Sequence, residues 1–287
     1  MPQTINTNLS SLNAQRNLSS SQSSLATSMQ RLSSGLRINS AKDDAAGLAI
    51  AERMSSQVKG MNVAVRNAND AISLAQTAEG ALGRVGDLMQ RMRELAVQSA
   101  NGTNTATDRS SLNDEFVELA QEATRTLGGT QFNSLNVLAS SDANTFQIGA
   151  NNNSNIDRIS VEGYNWSDKT DITAVLGTGI ITGTDVPTVQ ITDATTSQNA
   201  LASLDAAINA VNAQRSNFGA AQNRFENVVN NLMVAAESQT AARGRIMDAD
   251  YATETANLSR ASILQQAGNA MVAQANQLPQ QVLSLLR

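Results

Sequence analysis

The chain has 287 residues and a net charge of −5, with no histidine and no cysteine. The commonest general base, the usual zinc ligands and the thiol nucleophile are therefore absent, and an enzyme could use only carboxylates, lysine, tyrosine or serine. We expect no catalytic residue, metal site or cofactor. Lysine and arginine are scattered, no run of about 20 apolar residues occurs and no cleaved signal peptide is evident, which argues against nucleic-acid binding and membrane insertion.

The first apolar pattern lies near the N-terminus and predicts a helix with a narrow apolar stripe. Small polar residues fill the spaces between its members. A turn follows at residues 39–44, where Asp43 and Asp44 are suited to cap the next helix. The stripe consists of Leu18, Leu25, Met29, Leu32 and Leu36.

A heptad pattern follows this turn and predicts a coiled-coil seam of roughly 40 Å. Its helix should continue to a stop at residues 101–102, and Asp108 could cap a shorter return helix that ends at residues 128–129. The seam consists of Met54, Val58, Met61, Val65, Ile72 and Leu82.

Between residues 130 and 197 the apolar period changes towards two, among glycine and asparagine turn residues. This pattern predicts short antiparallel hairpins and loops. We expect residues 142–195 to form a short variable region of strands and loops. Residues 164–195, which lie away from both heptad seams, should contribute little packing energy.

A second heptad seam and a final apolar stripe complete the chain, separated by turn-like residues at 243–251. Pro279 should kink or restart the last helix. The second seam consists of Leu204, Ile208, Val211, Phe218, Phe225, Val229 and Leu232, and the final stripe of Leu264, Met271, Leu278, Val282 and Leu285.

Two seams of equal length joined by a non-helical middle predict a mainly α fold. It is a long antiparallel helical or coiled-coil bundle built from both chain ends, with a small β-hairpin-rich middle region. Each terminal segment alone buries too little apolar surface to offset its ordering entropy. We therefore expect the ends to order when copies of the chain polymerise, and the protein to be structural, not enzymatic.

Longer motifs at both ends resemble those of bacterial flagellin, the subunit of the flagellar filament. The resemblance covers about the first 140 and the last 90 residues. The motifs are residues 5–8 (INTN), 32–48 (LSSGLRINSAKDDAAGL), 90–98 (QRMRELAVQ), 131–133 (QFN), 248–252 (DADYA) and 282–287 (VLSLLR).

The resemblance implies a subunit that leaves the cell unfolded through the flagellar type III export apparatus and polymerises with itself for swimming motility. Residues 1–43 and 248–287 would form the inner tube, called D0. Residues 44–141 and 196–247 would form the surrounding D1 bundle, with 142–195 as the variable region. Further implied partners are an export chaperone, the filament cap and the hook-junction proteins.

The resemblance also implies that host receptors recognise the family. Arg91, Leu95 and Glu115 match positions sensed by the flagellin-specific Toll-like receptor, although Leu95 also fits the apolar stripe of the bundle. The apolar tail of Leu283, Leu285 and Leu286 matches the part that cytosolic inflammasome receptors recognise.

Three alternatives remain open from the sequence. A hook–filament junction protein shares weaker forms of the terminal pattern. The serines and threonines of residues 170–197 suit either O-glycosylation or polar loops. Asp248, Asp250 and Glu254 could offer oxygens to Ca²⁺, but a capping role at the last helix fits the same residues better.

Overall fold

A computed structural model describes residues 7–163, 165–166, 169–177 and 188–284, with side chains as far as residue 277. The fold is mainly α, as predicted. Two compact units make up the chain: a terminal unit of Met1–Ser56 with Glu237–Arg287, and a central unit of Gln57–Ala236. The helices are α1 (Leu9–Ser34), α2 (Ala45–Ser99), α3 (Ala106–Gly129), α4 (Thr170–Leu176), α5 (Ala194–Met247) and α6 (Tyr251–Ser284).

The helix starts are defined by side chains that accept hydrogen bonds from free backbone N–H groups. The Asp44 carboxylate accepts from the Gly47 N–H at 2.8 Å, which confirms its predicted capping role. Asp43 instead accepts from the N–H groups of the preceding turn. The predicted capping role of Asp108 is confirmed, but from the third position of the helix: Thr105 is the N-cap residue of α3, and Asp108 completes a capping box with it.

In the central unit α2 and α5 run antiparallel. The Arg93 guanidinium lies 2.7 Å from the Asp205 carboxylate, and the Ser197 hydroxyl donates to that of Ser99 at 3.0 Å. Along α2 one row of buried positions alternates by three and four residues, which is the predicted heptad pattern. The row consists of Met61, Ala64, Ala68, Ala71, Ala75, Ala78, Leu82, Val85, Met89, Met92 and Ala96, and Ala51, Leu74, Leu95 and Ser99 are buried outside it.

The predicted seam is therefore displaced by one position at several places. Ala64, Ala71 and Ala207 are fully buried, whereas the neighbouring predicted residues are half-buried at the edge of the seam. Small side chains at the centre let the helix backbones approach closely. Met61, Leu82, Leu204, Val211, Phe218 and Phe225 are buried, and Met54, Val58, Val65, Ile72, Ile208, Val229 and Leu232 are half-buried.

The middle of the chain forms two antiparallel hairpins, as predicted: β1 (Gln131–Phe132) with β2 (Leu135–Asn136), and β3 (Asn144–Gln147) with β4 (Arg158–Val161). Phe146 of β3 contacts Phe225 edge-on, with ring centroids 5.7 Å apart. The Asn67 side chain of α2 donates to the Gln147 carbonyl at 2.9 Å. The second hairpin is thus held against both long helices of the central unit.

The expectation that residues 164–195 contribute little packing energy is wrong for the described part of that segment. Trp166, Ile172, Val175 and Ile191 are fully buried in the main hydrophobic core. The Ser99 hydroxyl donates to the Ile191 carbonyl at 2.6 Å, so the segment is also bonded to the end of α2. Helix α4, which the sequence pattern did not predict, packs against α3 and supplies part of this core.

In the terminal unit two chain segments pair as a short antiparallel bridge. The Arg37 N–H donates to the Met247 carbonyl at 2.7 Å, and the Ala249 N–H donates to the Gly35 carbonyl at 2.9 Å. Ile38, Ala51 and Met247 form a small core beside the bridge. This arrangement holds the C-terminal end of α1 against the N-terminal end of α6.

Helix α6 begins just after the bridge, within the predicted turn. The Asp250 carboxylate accepts from the Thr253 hydroxyl at 2.8 Å and from the Ala252 N–H at 3.0 Å, so it caps the helix. These hydrogen bonds, the Thr253 hydroxyl first, hold the pKa of Asp250 below its usual range. The helix includes Pro279 and does not restart there. Among the helices that the structure describes, none combines the length and apolarity needed to cross a membrane.

Candidate functional site

Helices α1 and α6 pack antiparallel along most of their length, mainly through polar and small side chains. The Asn8 side chain donates to the Ala275 carbonyl at 2.7 Å, and the Tyr251 hydroxyl donates to the Leu32 carbonyl at 2.8 Å. A Cβ atom on Gly268 would lie 3.2 Å from the Leu18 Cδ1 atom, so the helices approach closely there. The pairing of the two terminal helices follows the sequence prediction.

The interior of this helix pair is poor in apolar atoms. The residues of α1 that become buried are Ser11 and Ser28. Arg31 lies 3.9 Å from Glu254, whose side chain is only 10% exposed, and the buried Arg31 Nε has no hydrogen-bond partner within the described part of the chain. A helix pair with so little apolar burial and a weakly bonded ion pair gains little stability from its own contacts.

Large apolar side chains point instead into solvent. We call this set the terminal apolar face: Leu9 (69% exposed), Leu12 (47%), Met29 (57%), Ile263 (65%), Leu264 (50%) and Met271 (64%). Six large apolar side chains exposed on two paired helices point to contacts with other chains.

The predicted inner-tube stripe is only partly covered in the free chain. Leu18, Leu25, Leu32 and Leu36 are half-buried, whereas Met29, Leu264 and Met271 belong to the terminal apolar face. The side chains of Leu278 and Val282, and all of Leu285, lie outside the described residues.

A shallow groove of about 390 Å³ runs between α1 and α6 beside this face. Leu18 lines it from α1, and Leu264, Ala267, Gly268 and Met271 line it from α6, with polar side chains of α1 along the opposite wall. The groove therefore offers an apolar surface on which another helix could pack.

The predicted receptor patch lies in the central unit, and the structure separates its members. Arg91 is exposed and forms ion pairs with Glu94 and Glu115, each at 2.9 Å. These hydrogen bonds, Glu94 first, raise the pKa of Arg91. Leu95 is only 1% exposed and lies in the core, so the expectation that it shares an accessible patch with Arg91 and Glu115 is wrong. Leu95 lies beside the heptad row of α2, one residue before the buried Ala96, which explains its burial.

Comparison with known proteins places the whole chain in one family. The model of the bacterial flagellin N-terminal helical region matches residues 5–143, and that of the C-terminal helical region matches residues 201–286. A flagellin of Halalkalibacterium halodurans is 46% identical over 284 residues, covering 99% of each chain. The chain belongs to the bacterial flagellin family.

Flagellins are structural proteins that self-assemble into filaments, and this flagellin chain is a filament subunit. The flagellar filament 33 kDa core protein of Treponema phagedenis is 42% identical over 289 residues, covering 99% of each chain. The crystal structure of Bacillus cereus flagellin is 31% identical, covers 58% of this chain and 88% of its own, and aligns with a TM-score of 0.48.

Sequence reasoning missed three members of the terminal apolar face of this flagellin. Leu9, Leu12 and Ile263 do not belong to the stripes drawn from the heptad pattern. These residues could have been found from the sequence, because apolar residues occur on more than one face of the terminal helices. That distribution is typical of a helix with more than one packing partner.

Proposed function

We propose that the α1–α6 pair is the polymerisation surface of the subunit, with the second copy of the chain covering the terminal apolar face. The observation that carries this proposal is the contrast within the pair. The buried residues of the pair are Ser11, Ser28, Glu254, Ala261 and Ala275, with Leu18, Leu25 and Leu32 half-buried, while six large apolar side chains are 47% to 69% exposed. Burial of apolar surface is the main favourable term in association, so this distribution favours contacts between copies over contacts within one.

Repeated contacts between unlike surfaces of identical copies generate an open helical polymer when the rotation does not close. In that arrangement the terminal helices form the inner tube and the central unit forms the surrounding layer. The structural division after residue 56 and before residue 237 assigns the first turns of α2 and the last turns of α5 to the terminal unit. This division supports an inner layer somewhat larger than residues 1–43 and 248–287.

We further infer that the terminal helices gain most of their order on polymerisation and that the chain is secreted unfolded by the flagellar export apparatus. The polar interior of the α1–α6 pair supports conditional folding, because its apolar burial is too small to offset the ordering of both helices. The chain has no cysteine, so no disulfide has to be reduced before transit. A chaperone for α6, together with the cap and hook-junction proteins, would be partners of the same apolar surface.

Recognition by host receptors is a separate proposal that rests on the central unit. Arg91 and Glu115 are accessible and can exchange their ion pair for charged groups of a Toll-like receptor. Leu95 would then act only through packing beneath them. Recognition by inflammasome receptors falls on the tail, which lies outside the described residues.

The polymerisation surface is tested by placing a charge on it. In the Ile263→Asp variant a carboxylate replaces an exposed side chain of α6, so the free subunit should keep its helical content while polymerisation is lost. Sedimentation after addition of filament seeds measures polymer, and far-UV circular dichroism measures helix.

Val234→Asp is the matched control, because Val234 is 62% exposed on α5 of the central unit. Its expected effect on polymerisation is smaller. Normal filaments from the Ile263→Asp chain would show that the terminal apolar face is not the contact surface.

A further inference from the structure

Most methionines whose side chains are described are either buried or exposed, and Met54 is half-buried. Met61, Met89, Met92 and Met247 are buried in the cores of the two units. Three others are exposed to similar extents: Met29 (57%), Met233 (58%) and Met271 (64%). A thioether reacts with peroxides according to its access to solvent, so the exposed group is the vulnerable one.

Met271 differs from the other exposed methionines in its surroundings. It lines the groove between α1 and α6, next to Leu264, Ala267 and Gly268 and across from Leu18. An unbranched, adaptable side chain at this place fills irregular space against a packing partner. The Met271 side chain is open to solvent in the free subunit, and a helix packed on the groove would enclose it.

We propose that Met271 is an oxidation site that controls subunit competence: its sulfoxide blocks polymerisation, and polymerisation protects it from oxidation. The inference rests on the proposed function of the terminal apolar face. In the reaction, the thioether sulfur attacks one oxygen of a hydroperoxide and the O–O bond breaks. The sulfur is oxidised by two electrons and gains that oxygen, while the peroxide is reduced to water or an alcohol.

The physical reason is the polarity that the new oxygen adds. A sulfoxide is a strong hydrogen-bond acceptor, and covering it with an apolar helix removes its water without supplying a donor. Leucine at the same position keeps the volume and the apolar character but has no sulfur to oxidise, so it is a suitable resistant substitute.

The experiment compares two chains that differ only at position 271. Both chains carry Met29→Leu and Met233→Leu, so that Met271 is the exposed methionine that remains among the residues whose side chains are described. Only the second chain also carries Met271→Leu. Subunits are treated with hydrogen peroxide, and sulfoxide at each methionine is quantified by peptide mass spectrometry. The critical concentration for polymerisation is then measured by sedimentation.

Oxidation of the chain that retains Met271 should raise its critical concentration by about tenfold or more over that of the untreated chain. Peroxide treatment should not change the critical concentration of the Met271→Leu chain. Treatment with methionine sulfoxide reductases for both epimers should restore polymerisation. In preformed filaments, conversion of Met271 should be at least about tenfold slower than in free subunits, because the polymer removes peroxide access.

Equal loss of polymerisation in both chains would overturn the inference, as would unchanged polymerisation after Met271 has been converted. Equal oxidation rates of Met271 in filaments and subunits would also overturn it. Failure of the proposed function would look different: the Ile263→Asp chain would form normal filaments, or untreated wild-type subunits would not polymerise at all.

Discussion

Replacing Trp166 with alanine should destabilise the central unit strongly, although Trp166 lies in the part of the chain that the sequence pattern assigned to loops. Its side chain is fully buried, together with Ile172 and Val175. Truncating a buried tryptophan to alanine costs about 3–5 kcal/mol, from lost apolar transfer and from the cavity that remains. For a unit of roughly 180 residues the unfolding entropy is about 0.4 kcal/mol/K, which corresponds to a fall in Tm of about 8–13 °C.

The assay is the main thermal transition of the full chain, followed by far-UV circular dichroism because the variant loses the chain's single tryptophan. Ile156→Ala is the matched control, since Ile156 is 72% exposed and its truncation should change stability by less than about 0.5 kcal/mol. A fall in Tm of less than about 3 °C for Trp166→Ala would refute the reasoning that this segment belongs to the core.

Three other expectations follow from the terminal helices and the receptor patch. Deleting residues 278–287 should leave a soluble, folded central unit that does not sediment as polymer; normal filaments would contradict the assembly proposal. Because the folded-state pKa of Asp250 is lowered, its ionised form stabilises the native chain above about pH 4, and this contribution is lost as pH falls through the folded-state pKa. Melting curves from pH 7 to about pH 2.5 should therefore be flat above about pH 5 and fall below about pH 4; an unchanged Tm at the acid end would contradict this. Arg91→Ala should weaken Toll-like receptor signalling without changing Tm, whereas Leu95→Ala should cost about 2–5 kcal/mol of stability, and intact cross-linked filaments should signal less per subunit than monomers.

The long helices could be predicted from the sequence because their apolar spacing persists over many turns. The exact centre of the seam could not, since alanine carries a weak hydrophobic signal and its burial depends on how closely the partner helix approaches. Ala64 and Ala71 are central for this reason, while the more apolar Val65 and Ile72 lie at the edge. The apolar spacing therefore predicted the heptad period and the pairing of the two long helices. It did not predict how each helix is rotated about its own axis.

Helix α4 and its core contacts were beyond sequence reasoning for a different reason. Seven residues form a stable helix only through tertiary packing, and Trp166 and Ile172 lie among glycines and polar residues that favour turns. Likewise, the stripe at Met29 and Leu264 predicted an apolar helix face but could not indicate whether α1 and α6 cover it for each other. That outcome depends on which faces the antiparallel pairing turns inward.

The bridge between residues 35–37 and 247–249 also determines when the terminal unit can fold. Its partners are separated by more than 200 positions, and the Asn8–Ala275 hydrogen bond joins residues 267 positions apart. Closing a loop of this length costs about 5 kcal/mol of chain entropy before any contact is gained, so these contacts form late. Residues 35–37 have no partner until residues 247–249 have been synthesised. Under the export proposed above, a subunit that emerges end-first would meet the same delay. The terminal unit therefore folds after the central unit has had the opportunity to fold, and until then its two apolar helices stay unpaired.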